Sequence, residues 1–360
     1  MRLTELRIDR LRCIDGFALD VPAGWSAFVG ANGAGKTTIL EAVFLLSHGR
    51  SFRGGARDAL SRIGSPGFSV FGRVERPDGV ERRLGLARNA GRLEARIDGE
   101  PAGLAALVEA SAVVCFEPGS HELINGVAEE RRRFIDWGVF HVEHDFLRCW
   151  RRYQRALRQR NALLRDLETF DLLLPWEQEM AESGERLSAL RVDYVARLRP
   201  LLAEVLNDFL PELGSPTLVF DSGWRDGTSL AEALFEARSR DRERGHTSRG
   251  PHRADWSIGF ECAPRREHLS RGQQKLCALA LVLAQAGLHA ADCGDWPVLC
   301  FDDLASELDL PHQERVLEVA RASGAQVLLT GTALPQPLSA HVDGLSVFHV
   351  ERGQSGVRLL

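Results

Sequence analysis

Lysine is nearly absent from this chain of 360 residues, which carries 45 basic side chains but has lysine only at positions 36 and 275. Long apolar runs are also missing, since no segment approaches the roughly 18 residues that a membrane helix needs. The first residues lack the apolar core of a signal peptide. These absences argue against a membrane or secreted protein, and we expect a cytoplasmic protein with no membrane partner.

Paired cysteines are the next absence. The seven cysteines are scattered and form no C-x-x-C pair, so we expect reduced thiols in place of disulfides or a zinc site. The net charge of -5 leaves nucleic-acid binding open, because local patches and not the average decide it. The hydrophobic content of 44% and the charged content of 26% are ordinary for a globular protein, and the length suits two compact units.

A glycine-rich motif stands between a predicted buried strand, Trp25–Val29, and a segment with helical spacing at 36–46. It fits G-x-x-x-x-G-K-[ST], the pattern of a loop whose backbone N–H groups surround phosphates at a helix N-terminus. Lys36 would reach the β- and γ-phosphates of ATP and assist catalysis, and Thr37 would hold Mg²⁺. An ordinary glycine turn would leave this Lys-Thr pair without a purpose. The predicted ATP-binding residues are Gly30, Ala31, Asn32, Gly33, Ala34, Gly35, Lys36, Thr37 and Thr38.

A second motif is the apolar run Val298–Phe301, which ends in two carboxylates. A buried parallel strand would bring Asp302 to the Mg²⁺ at the edge of the sheet, and Asp303 would act as the general base for the attacking water. Taken alone, an Asp-Asp turn at a strand end explains the pattern equally well. The phosphate-loop motif favours the metal site.

Arginine is concentrated in the part of the chain that reads as helical. Apolar residues at helical spacing over 139–210 predict an antiparallel helix pair. The predicted apolar stripes are Phe146, Trp150, Tyr153, Leu157, Leu164 and Leu167 on the first helix and Leu187, Leu190, Tyr194, Leu198, Leu201 and Val205 on the second. Four arginines share one face of its first helix, and a fifth lies beside them. This charge would suit contact with DNA phosphates, and an ordinary solvated helix face explains it about equally well. These candidates are Arg148, Arg151, Arg152, Arg155 and Arg158. A later turn-rich stretch could bring Arg249, His252 and Arg253 to a surface or a site.

The remaining patterns predict an α/β fold with two kinds of sheet. Residues 2–9 and 16–21 read as strands, and residues 68–99 alternate polar and apolar side chains like an antiparallel meander with turns at 77–79 and 89–91. A basic, glycine-rich loop is predicted at 49–55. Strands that alternate with helices over 290–332, together with a short buried strand at 113–116, indicate a parallel sheet.

The segment Leu269–Gln273 reads L-S-x-G-Q and would form a second anion-binding helix cap. Here the chain resembles the ABC ATPase superfamily, in which this signature closes over the γ-phosphate held by the phosphate loop of another protomer. The resemblance implies that Ser270, Arg271, Gly272 and Gln273 act in trans. It also implies that Ser306–Asp309 crosses the dimer interface and that Thr330 occupies the place of the switch histidine.

Within that superfamily the chain resembles the RecF family of recombination mediators, which is related to the SMC ATPases. The resemblance rests on Gly33–Thr37 with Leu40–Ala42, Ser47–Arg53, Gly126 with Arg131–Asp136, Tyr153 with Gln159–Leu164, Gly250–Arg253, Leu269–Gln273, and Asp302–Asp303 with Ser306–Asp309. It implies an ABC-type head with a parallel core sheet, an antiparallel β subdomain and an inserted helical lobe. The expected division is 1–137 for the N-terminal part of the head, 138–245 for the lobe and 246–360 for the rest of the head.

The resemblance also implies a function. It implies a weak ATPase that forms a homodimer with ATP, binds duplex or gapped DNA and single-strand/duplex junctions, and acts with RecO and RecR to load RecA in recombinational repair, in the SOS response and at replication forks. Transporter ATPase subunits and other SMC-like ATPases share the two motifs and remain alternatives. A small-molecule kinase and a purely structural phosphate-loop protein are less consistent with the signature.

Overall fold

The computed structural model describes residues 1–53, 57–89, 91–166, 172–338, 344–353 and 356–359. The chain divides into two compact units, Met1–Ser120 with His289–Leu360 and His121–Leu288. Of the boundaries expected for the helical lobe, position 137 lies inside a helix and position 245 lies at a helix end. The assignment of head and lobe to those boundaries stays a prediction.

The first unit contains two six-stranded sheets. Its strands are β1 (Arg2–Asp9), β2 (Gly16–Asp20), β3 (Trp25–Val29), β4 (Phe68–Glu75), β5 (Glu81–Asn89), β6 (Arg92–Ile97), β7 (Glu100–Ala102), β8 (Val113–Phe116), β11 (Val298–Phe301), β12 (Val327–Gly331), β13 (Leu345–Gly353) and β14 (Gly356–Leu359). Its helices are α1 (Lys36–His48), α2 (Leu104–Glu109), α9 (Leu304–Glu307) and α10 (Leu310–Ser323).

One sheet is antiparallel, with the order β2-β1-β4-β5-β6-β7. Buried and half-buried residues alternate along β4, as expected of a sheet with one covered face. The predicted meander is therefore present. The turn expected at 89–91 and the basic loop expected at 49–55 lie partly outside the described residues.

The other sheet has the order β14-β13-β3-β12-β11-β8, and its strands are parallel except for β14. All residues of β3 and β11 are buried, which explains their continuous apolar sequences. Its order places β12 between β3 and β11. The carboxyl ends of these three strands therefore meet at one edge, where the two motifs of the sequence lie.

The second unit is mainly helical. Its elements are α3 (Glu122–Asn125), α4 (Ala128–Val142), α5 (Phe146–Leu163), α6 (Leu173–Phe209), α7 (Leu230–Arg244), most of α8 (Arg271–Cys293), and the strands β9 (Pro216–Asp221) and β10 (Asp255–Phe260). Helices α5 and α6 are antiparallel, since residue 152 pairs with residue 179 and residue 160 with residue 177. The predicted helix pair is present. The antiparallel pair of β9 and β10 was not predicted.

The apolar stripe of the helix pair differs in detail from the prediction. Trp150 is 37% exposed and does not belong to the core. Leu202 and Leu206 are buried where the spacing had selected Leu201 and Val205. Seven residues of an α-helix make slightly fewer than two full turns, so over the 37 residues of this helix the buried face moves away from a strict seven-residue repeat. The predicted stripe residue Leu167 lies outside the described part of the chain.

Three buried arginines hold the second unit together. Arg160 is completely buried and donates to Asp241 at 2.7 Å and to the Thr247 hydroxyl at 2.9 Å. Two further pairs are bidentate, from Arg131 to Asp255 and from Arg191 to Asp136. Buried charges require such partners, because an unpaired one costs several kcal/mol, about 3–5 when a partner is removed.

A tyrosine–histidine pair extends this network. The Tyr153 hydroxyl lies 2.6 Å from His252 Nδ1, and His252 Nε2 lies 3.0 Å from the Thr247 carbonyl oxygen. A carbonyl only accepts, so Nε2 carries the proton and Nδ1 accepts from the tyrosine. Gly250 is required beside them, because a Cβ there would lie 2.5 Å from the Tyr153 hydroxyl and its φ is +124°. Several residues that carry the family resemblance are thus parts of the framework.

Helix α8 differs from the expectation that no segment approaches the length and composition of a membrane helix. It is the one helix of the described residues whose length and composition would suit a membrane span, with an 18-residue window of mean hydropathy 1.6. However, 67% of that window is buried inside the protein. A core helix has this property, and the composition of α8 follows from its burial.

We expect the second unit to lose stability in acid through His252. Burial lowers the pKa of this histidine to about 4 from its ordinary value of 6.5. The folded state therefore binds fewer protons than the unfolded state in this range, and stability falls as the pH drops from 6.5 towards 4. Thermal melting against pH should show this loss in the wild type and a smaller one in His252→Gln, whose amide has one acceptor and a donor group and does not titrate. The control His268→Gln, at an exposed histidine, should keep the wild-type dependence.

Candidate nucleotide site

The phosphate-loop motif lies where β3 ends and α1 begins, as its sequence context predicts. Gly33 and Gly35 have φ angles of +79° and +111°, which residues other than glycine rarely adopt. Nothing lies within 4 Å of the position of a Cβ at Gly33. The loop therefore has a backbone conformation that needs glycine and leaves room for a ligand beside it.

The Lys36 ammonium lies over this loop. Its Nζ donates to the carbonyl oxygens of Gly30 at 2.7 Å and Ala31 at 2.9 Å, and the residue is only 7% exposed. Burial lowers the pKa of Lys36, and the nearby carboxylates of Asp303 and Asp302 oppose that shift. A positive charge is thus held where the motif would place the β- and γ-phosphates.

Asp302 connects the two motifs. Its Oδ1 accepts from the Thr37 hydroxyl at 2.9 Å and from the Thr330 hydroxyl at 2.5 Å. The residue is 3% exposed. Burial raises the pKa of Asp302, while the hydrogen bonds from Thr330 and Thr37 lower it. The two hydroxyls therefore favour the carboxylate form in a place that would otherwise disfavour it.

Asp303 has an unusual backbone for a side-chain-bearing residue, with φ +55° and ψ +38°. Its N–H donates to the carbonyl and the hydroxyl of Thr330, both at 3.1 Å, and its Oδ1 accepts from Ser306 at 2.9 Å. These contacts hold a left-handed conformation that otherwise costs energy. Thr330 thus contacts the Asp302 carboxylate through its hydroxyl and holds the backbone of Asp303.

These side chains share one cavity of about 300 Å³. Its lining includes eight residues predicted for the site, Asn32, Gly33, Gly35, Lys36, Thr37, Thr38, Asp302 and Asp303. Thr37 and Asp302 offer the oxygen ligands that Mg²⁺ prefers, and Mg²⁺ usually takes its other ligands from phosphates and water. No group of three or more His, Cys, Asp or Glu side chains that could hold a metal occurs among the described residues. The residues present fit a nucleoside triphosphate with Mg²⁺.

Two arginines of this cavity were missed by the sequence reasoning, Arg12 and Arg53. Both depend on the fully buried Glu41, which pairs with Arg12 at 2.7 Å and lies 3.9 Å from Arg53. A carboxylate on the apolar side of α1 was the available signal, because a buried charge needs a cation. Its partners lie 29 and 12 residues away in the sequence, and only the fold could identify them.

The signature lies in the second unit, at the start of α8. Ser270 and Gln273 form a reciprocal cap, in which Ser270 N–H donates to Gln273 Oε1 at 3.0 Å and Gln273 N–H donates to Ser270 Oγ at 3.3 Å. Ser270, Arg271 and Gly272 are exposed. A Cβ at Gly272 would meet only Ser270 Oγ, at 4.0 Å. Packing within the chain therefore does not require this glycine.

The five candidate DNA-binding arginines differ in their surroundings. Arg152 forms a bidentate pair with Glu179 at 2.7 and 2.8 Å and also contacts Glu182 at 2.9 Å. Arg148 pairs with Asp145 at 3.1 Å, and the Arg155 guanidinium lies 6.0 Å from the centre of the Trp176 ring. Arg151 and Arg158 are exposed. Carboxylates of α6 and the start of α5 thus balance part of this charge.

The chain matches the model of the RecF/RecN/SMC N-terminal domain over residues 2–355. It is 49% identical to the DNA replication and repair protein RecF of Xanthomonas axonopodis pv. citri over 98% of both chains. It is 36% identical to the protein of that name from Edwardsiella ictaluri, over 99% of this chain and 100% of the relative.

Solved structures agree with this assignment. A structure of the recombination mediator protein RecF with ATP, in the RecFOR pathway, has a TM-score of 0.88 and 25% identity, with 99% of this chain and 97% of the other covered. The Smc head domain of Pyrococcus furiosus has a TM-score of 0.61 at 16% identity over 99% and 95% of the chains, and shares the fold. The predicted ABC-type head with parallel and antiparallel sheets is thereby confirmed, and the chain belongs to the RecF family of SMC-related ATPases.

Proposed function

We propose that this chain is an ATP-dependent DNA-binding protein that dimerises on ATP and acts in recombinational repair and at replication forks. The observation that carries the proposal is the joint placement of Lys36, Thr37, Asp302 and Asp303 around one cavity in a RecF-family chain. The names of its relatives, which are DNA replication and repair proteins, support the biological role.

The predicted site residues that line the cavity have separate roles in ATP hydrolysis. The N–H groups of residues 30–38 and the Lys36 ammonium bind the phosphates. Thr37 and Asp302 would hold Mg²⁺, which would neutralise phosphate charge. Asp303 orients the attacking water and accepts its proton, and the products are ADP and phosphate. Ser306 and Thr330 keep Asp303 in position.

The signature acts on the site of a second chain. Each chain has one phosphate loop and one signature, so a symmetric pair of chains has two composite sites. The exposed cap of Ser270 and Gln273, beside an unobstructed Gly272, suits the close approach of a γ-phosphate. Hydrolysis then removes the group that links the two chains, and slow turnover would make ATP a dimerisation switch.

DNA binding follows from the arginines of α5. Arg151, Arg155 and Arg158 supply the exposed charge, and a dimer presents two such surfaces, so affinity for DNA should rise with ATP. The favoured substrates are gapped DNA and single-strand/duplex junctions. RecO, RecR and RecA are the proposed partners in the cytoplasm, in line with a relative described as part of the RecFOR pathway.

We expect Asp303→Asn to bind ATP without hydrolysing it and to accumulate as a dimer. Sedimentation with ATP, with ADP and without nucleotide, each with and without gapped DNA, measures this. Lys36→Ala should stay monomeric in all conditions, because it lacks the phosphate contact. A monomeric Asp303→Asn protein with ATP bound would show that the dimer switch is wrong.

Gly272→Ala tests the contact in trans. An added methyl group has space within the chain, and alanine in a first helical turn should stabilise the fold by up to about 1 kcal/mol. ATP binding should remain while ATP-dependent dimerisation is lost. Gly16→Ala is the matched control, because a Cβ at Gly16 also has space, with nothing within 4 Å of it. Normal dimerisation of Gly272→Ala would refute the trans contact.

Thr330→Val tests the role of Thr330. The pKa of Asp302 should rise, since one of the hydrogen bonds that lower it is lost. The acidic limb of the pH profile of ATP hydrolysis should therefore move to higher pH, and Thr330→Ser should restore it. If the limb stays in place while hydrolysis slows, Thr330 has a packing role only.

A further inference from the structure

A cavity of about 490 Å³ in the second unit has a strongly basic lining. Four arginines surround it, and they come from three separate segments of the chain. The arginines are Arg225, Arg244, Arg249 and Arg253. This cavity is distinct from the nucleotide site, and the five arginines of α5 do not line it.

None of these four arginines forms an ion pair with another residue in the described ranges of the chain. The buried arginines of the same unit behave differently, because Arg131, Arg160 and Arg191 each pair with a carboxylate. One carboxylate lines the cavity, that of Asp221, and its Oδ1 accepts from the Gly223 N–H at 2.7 Å. Like charges around one cavity repel each other, and an anion would relieve that repulsion.

Two loops that are tightly joined build most of the cavity. The Gly250 N–H donates to the Gly223 carbonyl at 3.1 Å. A Cβ at Gly223, whose φ is +92°, would lie 2.3 Å from the Gly250 carbonyl oxygen. Only glycine allows the two backbones to approach this closely. The distance between the loops is therefore set by the backbone and not by adjustable side chains.

Buried side chains of the hydrogen-bond network bind the backbone of the second loop, residues 248–253. Ser248 N–H donates to Asp241 at 3.0 Å, and the Pro251 carbonyl accepts from Arg191 at 2.8 Å. His252 is held by Tyr153, as described above. Arg249 and Arg253 thus stand on either side of anchored residues, with their own side chains exposed. A preorganised binding site requires that the backbone carrying its binding side chains is held in this way by further hydrogen bonds.

Two further residues of the lining indicate the ligand. The Ser248 hydroxyl is buried and has no hydrogen-bond partner among the described residues, so it can serve an anion. Trp224 is half-buried, and its ring is oriented by a bond of 3.1 Å from Nε1 to the Thr228 carbonyl. Guanidinium groups match the geometry of phosphates, and aromatic rings stack on bases.

We propose that this cavity binds one nucleotide unit of a single-stranded nucleic acid, with its phosphates on the arginines and its base against Trp224. The volume lies in the range of small-ligand sites, about 300–1,000 Å³, and exceeds what a single phosphate needs. The aromatic ring favours a nucleotide over an acidic peptide. The inference rests on the proposed function as a DNA-binding protein, but it concerns a different surface from α5 and can fail separately.

The test is fluorescence anisotropy of a labelled single-stranded decanucleotide, with ATP present, over a range of salt concentrations. Arg249→Ala/Arg253→Ala should weaken binding by at least about tenfold and reduce the slope of log K against log salt by about 1.4, two contacts at roughly 0.7 each. Trp224→Ala should weaken binding about 5- to 100-fold with the slope unchanged, and Trp224→Phe should restore most of it. The matched control is Arg92→Ala/Arg96→Ala, at two exposed arginines of the first unit, and it should bind like the wild type.

The outcomes separate the two proposals. If the wild type binds no nucleic acid, the proposed function fails together with this inference. If the wild type and the control bind but Arg249→Ala/Arg253→Ala binds equally well, only the cavity proposal is overturned. A 5′-phosphorylated strand that binds more tightly than its 5′-hydroxyl form would assign a terminal phosphate, and equal binding an internal one. If the double variant loses binding to an Asp/Glu-rich peptide but keeps the oligonucleotide, the ligand is an acidic peptide and the proposal is wrong.

Discussion

The candidate nucleotide site depends on one buried carboxylate, that of Asp302. Two hydroxyls, that of Thr37 at the start of α1 and that of Thr330 on β12, donate to the same oxygen atom. The contact links the phosphate loop to the second motif across the intervening strand β12. Without these hydroxyls, burial would favour the protonated acid, which binds Mg²⁺ poorly. The negative charge of Asp302 therefore depends on the two threonines, and the sheet order brings those threonines to it.

In the second unit the buried charges are positive, and they too are stabilised by partners within the fold. Its buried arginines each have a carboxylate, and the resulting network fixes the loops on which other arginines stand exposed. Residues of the family resemblance such as Tyr153, Arg160 and Gly250 contribute by packing and hydrogen bonding within the second unit. They stabilise the loop that carries Arg249 and Arg253. The resemblance thus includes framework residues such as Gly250 next to Arg253, which lines the cavity of the second unit.

Much of the fold could be predicted because its signals are local. The strands at 113–116 and 298–301 are short apolar runs, the meander alternates polar and apolar side chains, and the phosphate loop has its strand, glycines and helix in sequence. Other features involve distant residues. The strands β9 and β10 are separated by an entire helix, and Arg12 and Arg53 belong to the site only through Glu41. No spacing in the sequence records such partnerships.

The sequence alone determined the kinds of chemistry that this protein carries: a phosphate loop, a strand-end pair of carboxylates, a signature at a helix start, and many arginines. The tertiary structure decided which groups meet. It placed Thr330 on Asp302, gave Asp303 a left-handed backbone, and paired Arg152 with carboxylates while leaving four arginines around one cavity unpaired within the described residues. The physical reason is that charge and hydrogen bonding depend on distances of a few ångströms, which chain separation does not specify.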